Sequence, residues 1–323
     1  MRALWICPLV VLTILLNSQE ANAQGCCTVG ASSLGGLETS VQPFKTLAVS
    51  LNYQFNSITT AFLQTTRIED PLKRTATVGY FNLQVEYGLQ PDLSLFGLLT
   101  YSDKEREITV VSNIGGTTQK ETAVFRGSGV GDLMVLGKYR VVAASFSNPY
   151  EIAVGGGASL PTGSYTEEHQ GSQLSIDLQP GTGAPALIAW GFGMYNDPAL
   201  GLNLLMSVQF RYSSSNFNAY RIGNELSVHT GGEYRLGENF SGSLFLRGRF
   251  SSVDYSNGRF LNATGGTYYD LMPGVGYADG PSLFRIFGQF PLYRNVRGIQ
   301  LTLSSMLGAE YRYTFDFSSG GSS

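Results

Sequence analysis

A stripe of charged side chains runs through residues 221–235, which read RIGNELSVHTGGEYR. Its odd-numbered positions include Arg221, Glu225, His229, Glu233 and Arg235, whereas the even-numbered positions are mainly apolar. In an extended chain, alternate side chains lie on one face. Such a charged face could select solutes along a path through a protein, or it could fill a narrow barrel with mutually paired charges.

Similar alternation elsewhere extends this set of candidate lumen-lining residues. The basic candidates, with one histidine, are Lys138, Arg140, Arg211, Arg221, His229, Arg235, Arg247, Arg249, Arg285 and Arg312. The acidic candidates are Glu86, Asp132, Glu151, Glu225, Glu233, Asp270 and Glu310. The two signs nearly balance, which argues against a strong cation or anion filter and leaves an apolar or zwitterionic solute open.

Metal and cofactor chemistry have little support in the sequence. The chain has two histidines, His169 and His229, and neither belongs to a cluster with metal-ligand spacing. Cys26 and Cys27 are weak candidates for a soft metal such as copper(I) or zinc. Two free thiols, or a disulfide to another chain, are the alternatives, and we expect no metal site and no cofactor.

One stretch invites an enzymatic interpretation. Residues 254–260 read DYSNGRF and place Ser256 where outer-membrane lipases carry a serine, but those lipases have a histidine two residues earlier. Here that position is Asp254, and a nucleophilic serine needs a nearby base. A turn at Ser-Asn-Gly is the simpler interpretation, so we expect no enzyme and keep a lipid hydrolase as the remote alternative.

The elements that would position these residues are β-strands. Period-two alternation marks about twelve segments, and most are longer than the roughly 5–6 residues usual in soluble proteins. They cover residues 46–57, 77–89, 93–102, 122–140, 150–160, 183–195, 199–212, 219–235, 240–255, 266–278, 283–292 and 300–315.

The connectors between these segments alternate in length. Short turns such as 89–92 and 278–282 alternate with long polar stretches at 58–76, 103–121, 161–182, 213–218, 256–265 and 293–299. This asymmetry is typical of outer-membrane barrels. Residues 106–111 and 173–178 also alternate, so they either extend strands or raise the strand count to fourteen.

The cost of burying charge in lipid decides which face of each strand points to the lipid and which points to the lumen. An arginine that faces lipid at mid-depth costs about 2–4 kcal/mol, and open strand edges in hydrocarbon leave backbone groups unpaired. We therefore predict an all-β fold, a closed transmembrane antiparallel β-barrel over residues 46–317, with its charges facing the lumen.

The two ends of the chain carry targeting signals. Arg2, an apolar run over 4–16 and Ala21-Asn22-Ala23 predict a secretory signal peptide at 1–23, with lipidation at Cys26 as an alternative to cleavage before Gln24. Residues 24–45 form either a periplasmic tail, which we favour, or a plug in the lumen. Residues 311–315, YRYTF, resemble the recognition signal read by the outer-membrane assembly machinery, and 318–323 form a tail.

Composition agrees with this class of protein. Only 14% of the 323 residues are charged, against about 25% in soluble domains, and there are 40 glycines. The formal net charge of −3 gives no reason to expect a nucleic-acid partner.

Three motifs in the central third carry a family resemblance. The runs GSGVGDLMVLGKYR (127–140), LPTG (160–163) and LQPGTG (178–183) resemble, in order and spacing, the meta-pathway phenol-degradation family of outer-membrane proteins. The matching positions are Gly131, Asp132, Pro161, Thr162, Gly163, Pro180, Gly181 and Gly183. The resemblance implies a transporter-like barrel in the outer membrane of a Gram-negative bacterium.

We therefore expect a channel for small hydrophobic or aromatic molecules, with the lipid bilayer, a small solute and the assembly machinery as partners. A structural or adhesion barrel with a blocked lumen is the alternative.

Overall fold

A computed structural model of the chain describes residues 38–114 and 117–318, with side chains described outside 110–120. The described residues form twenty β-strands. They are β1 (Thr46–Ile58), β2 (Thr60–Gln64), β3 (Thr66–Ile68), β4 (Thr75–Gln90), β5 (Leu93–Ile114), β6 (Thr117–Val130), β7 (Leu133–Val142), β8 (Tyr150–Leu160), β9 (Glu168–His169), β10 (Ser172–Gln173), β11 (Ala186–Asp197), β12 (Leu202–Ser213), β13 (Tyr220–Arg221), β14 (Glu225–Arg235), β15 (Phe240–Ser251), β16 (Asp254–Ser256), β17 (Arg259–Leu261), β18 (Gly266–Asp279), β19 (Ser282–Thr302) and β20 (Ser305–Asp316).

Twelve of these strands close into one antiparallel barrel. In order around the barrel they are β1, β4, β5, β7, β8, β11, β12, β14, β15, β18, β19 and β20, with β20 paired back onto β1. Thr46 lies opposite Asp316, so the first and last barrel strands begin and end at the same rim. The predicted all-β barrel of about twelve strands is confirmed.

The two faces of the barrel wall have opposite character. On β1, Leu51 is 59% exposed while its neighbour Asn52 is 3% exposed. The same alternation holds on β4, where Phe81 and Leu83 are exposed and Asn82 and Gln84 are buried. Soluble proteins bury apolar side chains and expose polar ones, and the reversal seen here is the arrangement that a hydrocarbon surrounding requires.

Outside the barrel wall, further strands lie at the rim that carries the long connectors. The hairpin β2–β3 pairs with the far end of β19, β6 folds back along β5, and β13, β16 and β17 form a small separate sheet. Residues 106–111 therefore extend β5, as one of the two alternatives proposed. Of residues 173–178, only Gln173 lies in a strand.

Three sequence-based boundaries were wrong. The segment 122–140 is two strands, because the chain breaks at Gly131 and Asp132, where Gly131 N donates to Thr100 O. Residues 293–299 are not a loop but part of β19, which accommodates Gly298 with a positive φ of 65° at an irregularity in the pairing with β2. The tight turn lies instead at 303–304.

Among the described residues, no helix has the length and hydropathy to cross a membrane.

Candidate functional site: the charged lumen

An ion pair between two strands that flank β5 is closed off from solvent. Lys138 on β7 places Nζ 3.0 Å from Oε2 of Glu86 on β4. Ser94 donates to the other carboxylate oxygen of Glu86 at 2.6 Å. The rings of Phe96 and Trp190 lie 5.0 Å from the ammonium, within reach for cation–π attraction. Both charges therefore have several partners, as buried charges require.

The segment before the first strand enters this lumen. Lys138 Nζ donates to the backbone oxygen of Thr39 at 3.1 Å, and Arg140 donates to that of Val41 at 2.6 Å. Ser40 contacts the carboxylate of Glu151, which also accepts from Arg140 Nε at 3.2 Å. The interpretation of residues 24–45 as a tail is thus wrong for 38–41, while residues 24–37, including Cys26 and Cys27, lie outside the described part of the chain, as does the signal peptide.

One carboxylate of this segment lies between a histidine and an arginine of the inner wall. Glu38 is buried, and its Oε1 lies 3.2 Å from Nδ1 of His229 on β14. Its Oε2 lies 3.6 Å from Arg285 on β19. Arg285 also forms an ion pair with Glu310 at 2.8 Å. The segment is therefore attached to the far side of the barrel as well as to β7.

Several other predicted lumen residues also lie on the inner wall and contact polar side chains there. Arg249 contacts Glu225 at 3.3 Å and stacks 4.0 Å from the ring centre of Tyr268. Asp270 pairs with Arg294. Arg312 donates to Ser50 Oγ at 3.1 Å. Arg247 and Arg211 differ from these residues, because no carboxylate lies within ion-pair distance of either among the described residues.

Four of the predicted residues lie away from the lumen centre. Arg221 belongs to β13, beyond the start of β14, and its guanidinium lies 5.4 Å from the ring centre of Tyr255. Glu233 and Arg235 lie at the short-turn rim, where they line a cavity of about 390 Å³ with Glu238. Asp132 lies between β6 and β7 and has a structural role described next. Arg221 and Asp132 are corrections, since β14 begins only at Glu225 and Asp132 lies outside any strand. Glu233 and Arg235 lie on the same face of β14 as His229, at the end of the strand.

The motif residues of the central third meet at the rim and hold the long connector 161–185. The carboxylate of Asp132 accepts from Gly163 N at 3.0 Å, and from Thr182 N at 3.0 Å and Oγ1 at 2.6 Å. Thr162 Oγ1 accepts from Leu133 N at 2.9 Å. Gly163 and Gly181 approach so closely that a Cβ on either would lie under 3 Å from the backbone of the other. The motif is therefore a clasp, which we call the rim clasp.

Three functional residues escaped sequence reasoning. Glu38 lies in a segment without periodicity, and Arg294 lies in the stretch interpreted as a loop. Arg106 contacts Asp177, and Lys104 beside it donates to Gln179 O at 2.7 Å. These contacts fix the connector 161–185 to the extension of β5. The alternation at 106–111 was the available signal for that extension, but it gave no information on the partner.

Ser256 has no catalytic surroundings in the described part of the chain. Its hydroxyl contacts only Asn257 Nδ2, at 3.5 Å. His229 is bound to Glu38 in the lumen, and His169 lies 5.3 Å from the ring of Phe125. The described residues likewise contain no group of three side chains suited to a metal ion.

The fold has a match among solved structures. An outer membrane channel from Pseudomonas putida F1 aligns with a TM-score of 0.65 and 14% identity, over 88% of this chain and 100% of that chain. A FadL homologue from Pseudomonas aeruginosa aligns at 0.40 and 10% identity, over 84% and 90% of the two chains. The toluene transporter TbuX from Ralstonia pickettii aligns at 0.38 and 10%, over 85% and 90%. No family model matches the chain, and no curated protein matches it.

The first of these similarities establishes the class of fold. The chain is a β-barrel of the outer-membrane type, with the topology of an outer membrane channel from a Gram-negative bacterium. This agrees with the class of barrel that the sequence resemblance implied.

Proposed function

We propose that this protein is an outer-membrane channel for small hydrophobic or aromatic molecules, and that residues 38–41 close it at rest. The observation that carries the proposal is the position of this segment across a polar lumen, held by side-chain contacts and not by strand pairing. Hydrogen bonds to charged groups contribute about 1.5–3 kcal/mol each. A handful of them gives a closed state that still opens reversibly.

The apolar part of the lumen supports the class of solute. Phe96, Trp190 and Phe192 belong to one buried cluster with Leu136 and Ile188. A second cluster on other strands contains Phe245, Phe287 and Met306. Aromatic surfaces inside an otherwise polar lumen would contact a hydrophobic solute once the segment moves.

The same dense filling favours the alternative of a structural barrel with a blocked lumen. His229, Lys138 and Glu310 are almost completely buried, which favours a lumen filled by side chains. In the channel, residues 38–41 leave the lumen, whereas in the structural barrel they stay there.

Conductance in planar bilayers separates the two functions. We expect brief openings from the natural protein and an open probability about tenfold higher in Glu38→Ala, because the ion pairs that hold the segment are lost. Arg126→Gln, at an exposed ion pair on the β5–β6 hairpin, is the control and should leave openings unchanged. Absence of conductance in both the natural protein and Glu38→Ala would establish the blocked barrel.

Solute class requires a second measurement. Vesicles whose outer leaflet contains lipopolysaccharide should take up radiolabelled benzyl alcohol faster with the protein than without it. Equal uptake would contradict a role in admitting aromatic molecules.

The proposal also holds that the chain is not an enzyme. Ser256 lacks a base among the described residues, so we expect no phospholipid hydrolysis by the natural protein. Hydrolysis that disappears in Ser256→Ala would establish the lipid-hydrolase alternative instead.

A further inference from the structure

Arg247 is a buried guanidinium that forms no direct ion pair within the described residues, although Asp270 and Glu225 act on it from beyond contact distance. It is 4% exposed, and its hydrogen bond is from Nη1 to the amide oxygen of Gln289 at 3.3 Å. Its Nε has no acceptor, and no carboxylate lies within ion-pair distance among the described residues. A buried charge without a counterion in direct contact is costly, so an anion that contacts this guanidinium would be stabilised here.

Its neighbours show that the strands could have supplied a counterion. Arg249, two residues along β15, has Glu225, and Arg294 on β19 has Asp270. Arg247 lies opposite His229 in the pairing of β14 with β15. The Nε2 atom of His229 also lacks a partner, and this side chain is 1% exposed. An unsatisfied guanidinium N–H and an unpartnered imidazole nitrogen therefore lie on paired residues of the inner wall.

Glu38 is the carboxylate that contacts both His229 and Arg285. Its Oε1 lies 3.2 Å from His229 Nδ1, its Oε2 lies 3.6 Å from Arg285, and it is close enough to interact electrostatically with Arg247. Glu38 belongs to the segment before β1, not to the barrel wall. When that segment leaves, His229 and Arg285 lose the carboxylate that contacts them both. Arg285 keeps its ion pair with Glu310, and Arg247 keeps the more distant carboxylates of Asp270 and Glu225.

We propose that these three side chains form a binding site for the carboxylate of a small organic acid, and that Glu38 occupies this site in the closed state. Two parallel donors of a guanidinium match the two oxygens of a carboxylate. The ring of Phe287 lies 5.6 Å from the Arg285 guanidinium, and Phe245 and Met272 belong to the same buried cluster. An apolar or aromatic tail therefore has surface to contact beside the charged head.

The inference deepens the proposed function, on which it rests for the departure of the segment. An acid that enters the site competes directly with Glu38. Binding of the solute and release of the segment are then two sides of one exchange, which links the presence of solute to opening.

Calorimetric titration of the full-length protein in detergent with benzoate tests this exchange. Glu38→Gln removes the internal competitor at nearly constant shape, so benzoate should bind about ten- to a hundredfold more tightly than to the natural protein. Adding Arg247→Gln to that variant should reverse most of the gain, and Arg247→Lys should reverse less. Benzyl alcohol, which lacks the carboxylate, should bind equally to all of these variants.

Arg126→Gln again serves as the control and should bind benzoate as the natural protein does. The shift of folded barrels on gels without heating verifies that each variant is folded. Benzoate binding that is no tighter in Glu38→Gln, or that survives Arg247→Gln unchanged, would overturn the site. Inorganic phosphate that binds as well as benzoate would overturn the assignment to organic acids. The titration does not depend on conductance. A barrel that binds benzoate as expected but never conducts would refute the proposed function and leave the binding site standing.

Discussion

The Nζ atom of Lys138 lies 3.0 Å from Oε2 of Glu86, and the side chains that surround this pair exclude solvent from it. Glu86 and Lys138 lie on β4 and β7, which both pair with β5. Phe96 and Ser94, on β5 between them, contact the lysine and the glutamate respectively. Three strands of the wall are thus joined through one charged contact inside the lumen.

Breaking this pair should destabilise the barrel more than removing it altogether. Lys138→Met leaves Glu86 buried without its counterion, and we expect a loss of about 3–5 kcal/mol in the free energy of unfolding. The double variant Glu86→Gln with Lys138→Met removes both charges and should recover a large part of that loss. Guanidinium-induced unfolding in detergent, followed by tryptophan fluorescence, measures both. Equal losses in the single and double variants would show that the charges do not interact.

The rim clasp gives a prediction for the long connector. Asp132→Ala removes the acceptor for Gly163 N and for both donors of Thr182. Unsatisfied buried donors cost about 1–3 kcal/mol, so local opening of 161–185 should become about tenfold more frequent or greater. Hydrogen exchange measured by mass spectrometry reports this opening peptide by peptide.

A matched control exists at the other rim. Asp197 accepts from Ala199 N and Leu200 N at 3.1 Å in a short turn. Asp197→Ala should raise exchange in that turn and leave 161–185 unchanged. If Asp132→Ala leaves exchange in the connector unchanged, the rim clasp does not hold it.

The clasp also depends on the absence of side chains at two glycines. A Cβ at Gly181 would lie 2.6–2.7 Å from backbone atoms of Gly163, and neither backbone can move without disturbing the Asp132 contacts. We expect Gly181→Ala to cost about 1–3 kcal/mol, as overpacking does elsewhere. Gly191→Ala, where a Cβ would meet nothing within 4 Å, should leave the unfolding midpoint unchanged. Equal midpoints for the two variants would contradict the close approach.

The strand pattern was predictable because one physical constraint acts at every second residue. In residues 49–56 the apolar and polar positions alternate without interruption, and the lipid and lumen faces follow directly. The same constraint placed Glu86, His229 and Arg249 on the inner wall. The pairs that these residues form could not be predicted, because they depend on strand register and on which strands become neighbours.

The errors arose where alternation gives no information. Glu38 lies before the first strand, in a segment whose course is decided by side chains on β14 and β19. Asn295, Arg297 and Gly298 are typical of a turn, yet β19 continues through them because β2 offers a pairing partner. Asp132 was assigned to the lumen because the alternation through residues 122–140 predicts one unbroken strand. In the structure its carboxylate binds the connector 161–185.

A buried carboxyl group at the long-connector rim makes a local pH dependence testable. Asp254 on β16 accepts from Tyr220 OH at 2.5 Å and from Gly223 N at 2.7 Å. Burial raises the pKa of Asp254 above its usual value, although these hydrogen bonds oppose the increase. The folded rim therefore binds the proton more tightly than an unfolded rim does, so the associated stability is present at acidic pH and is lost as the pH rises through the pKa of the folded state. Hydrogen exchange of residues 219–224, corrected for the intrinsic pH dependence of exchange, should show stronger protection near pH 4 than at pH 7. In Asp254→Asn, which carries no charge at either pH, the difference should disappear, and its persistence there would assign it to another group.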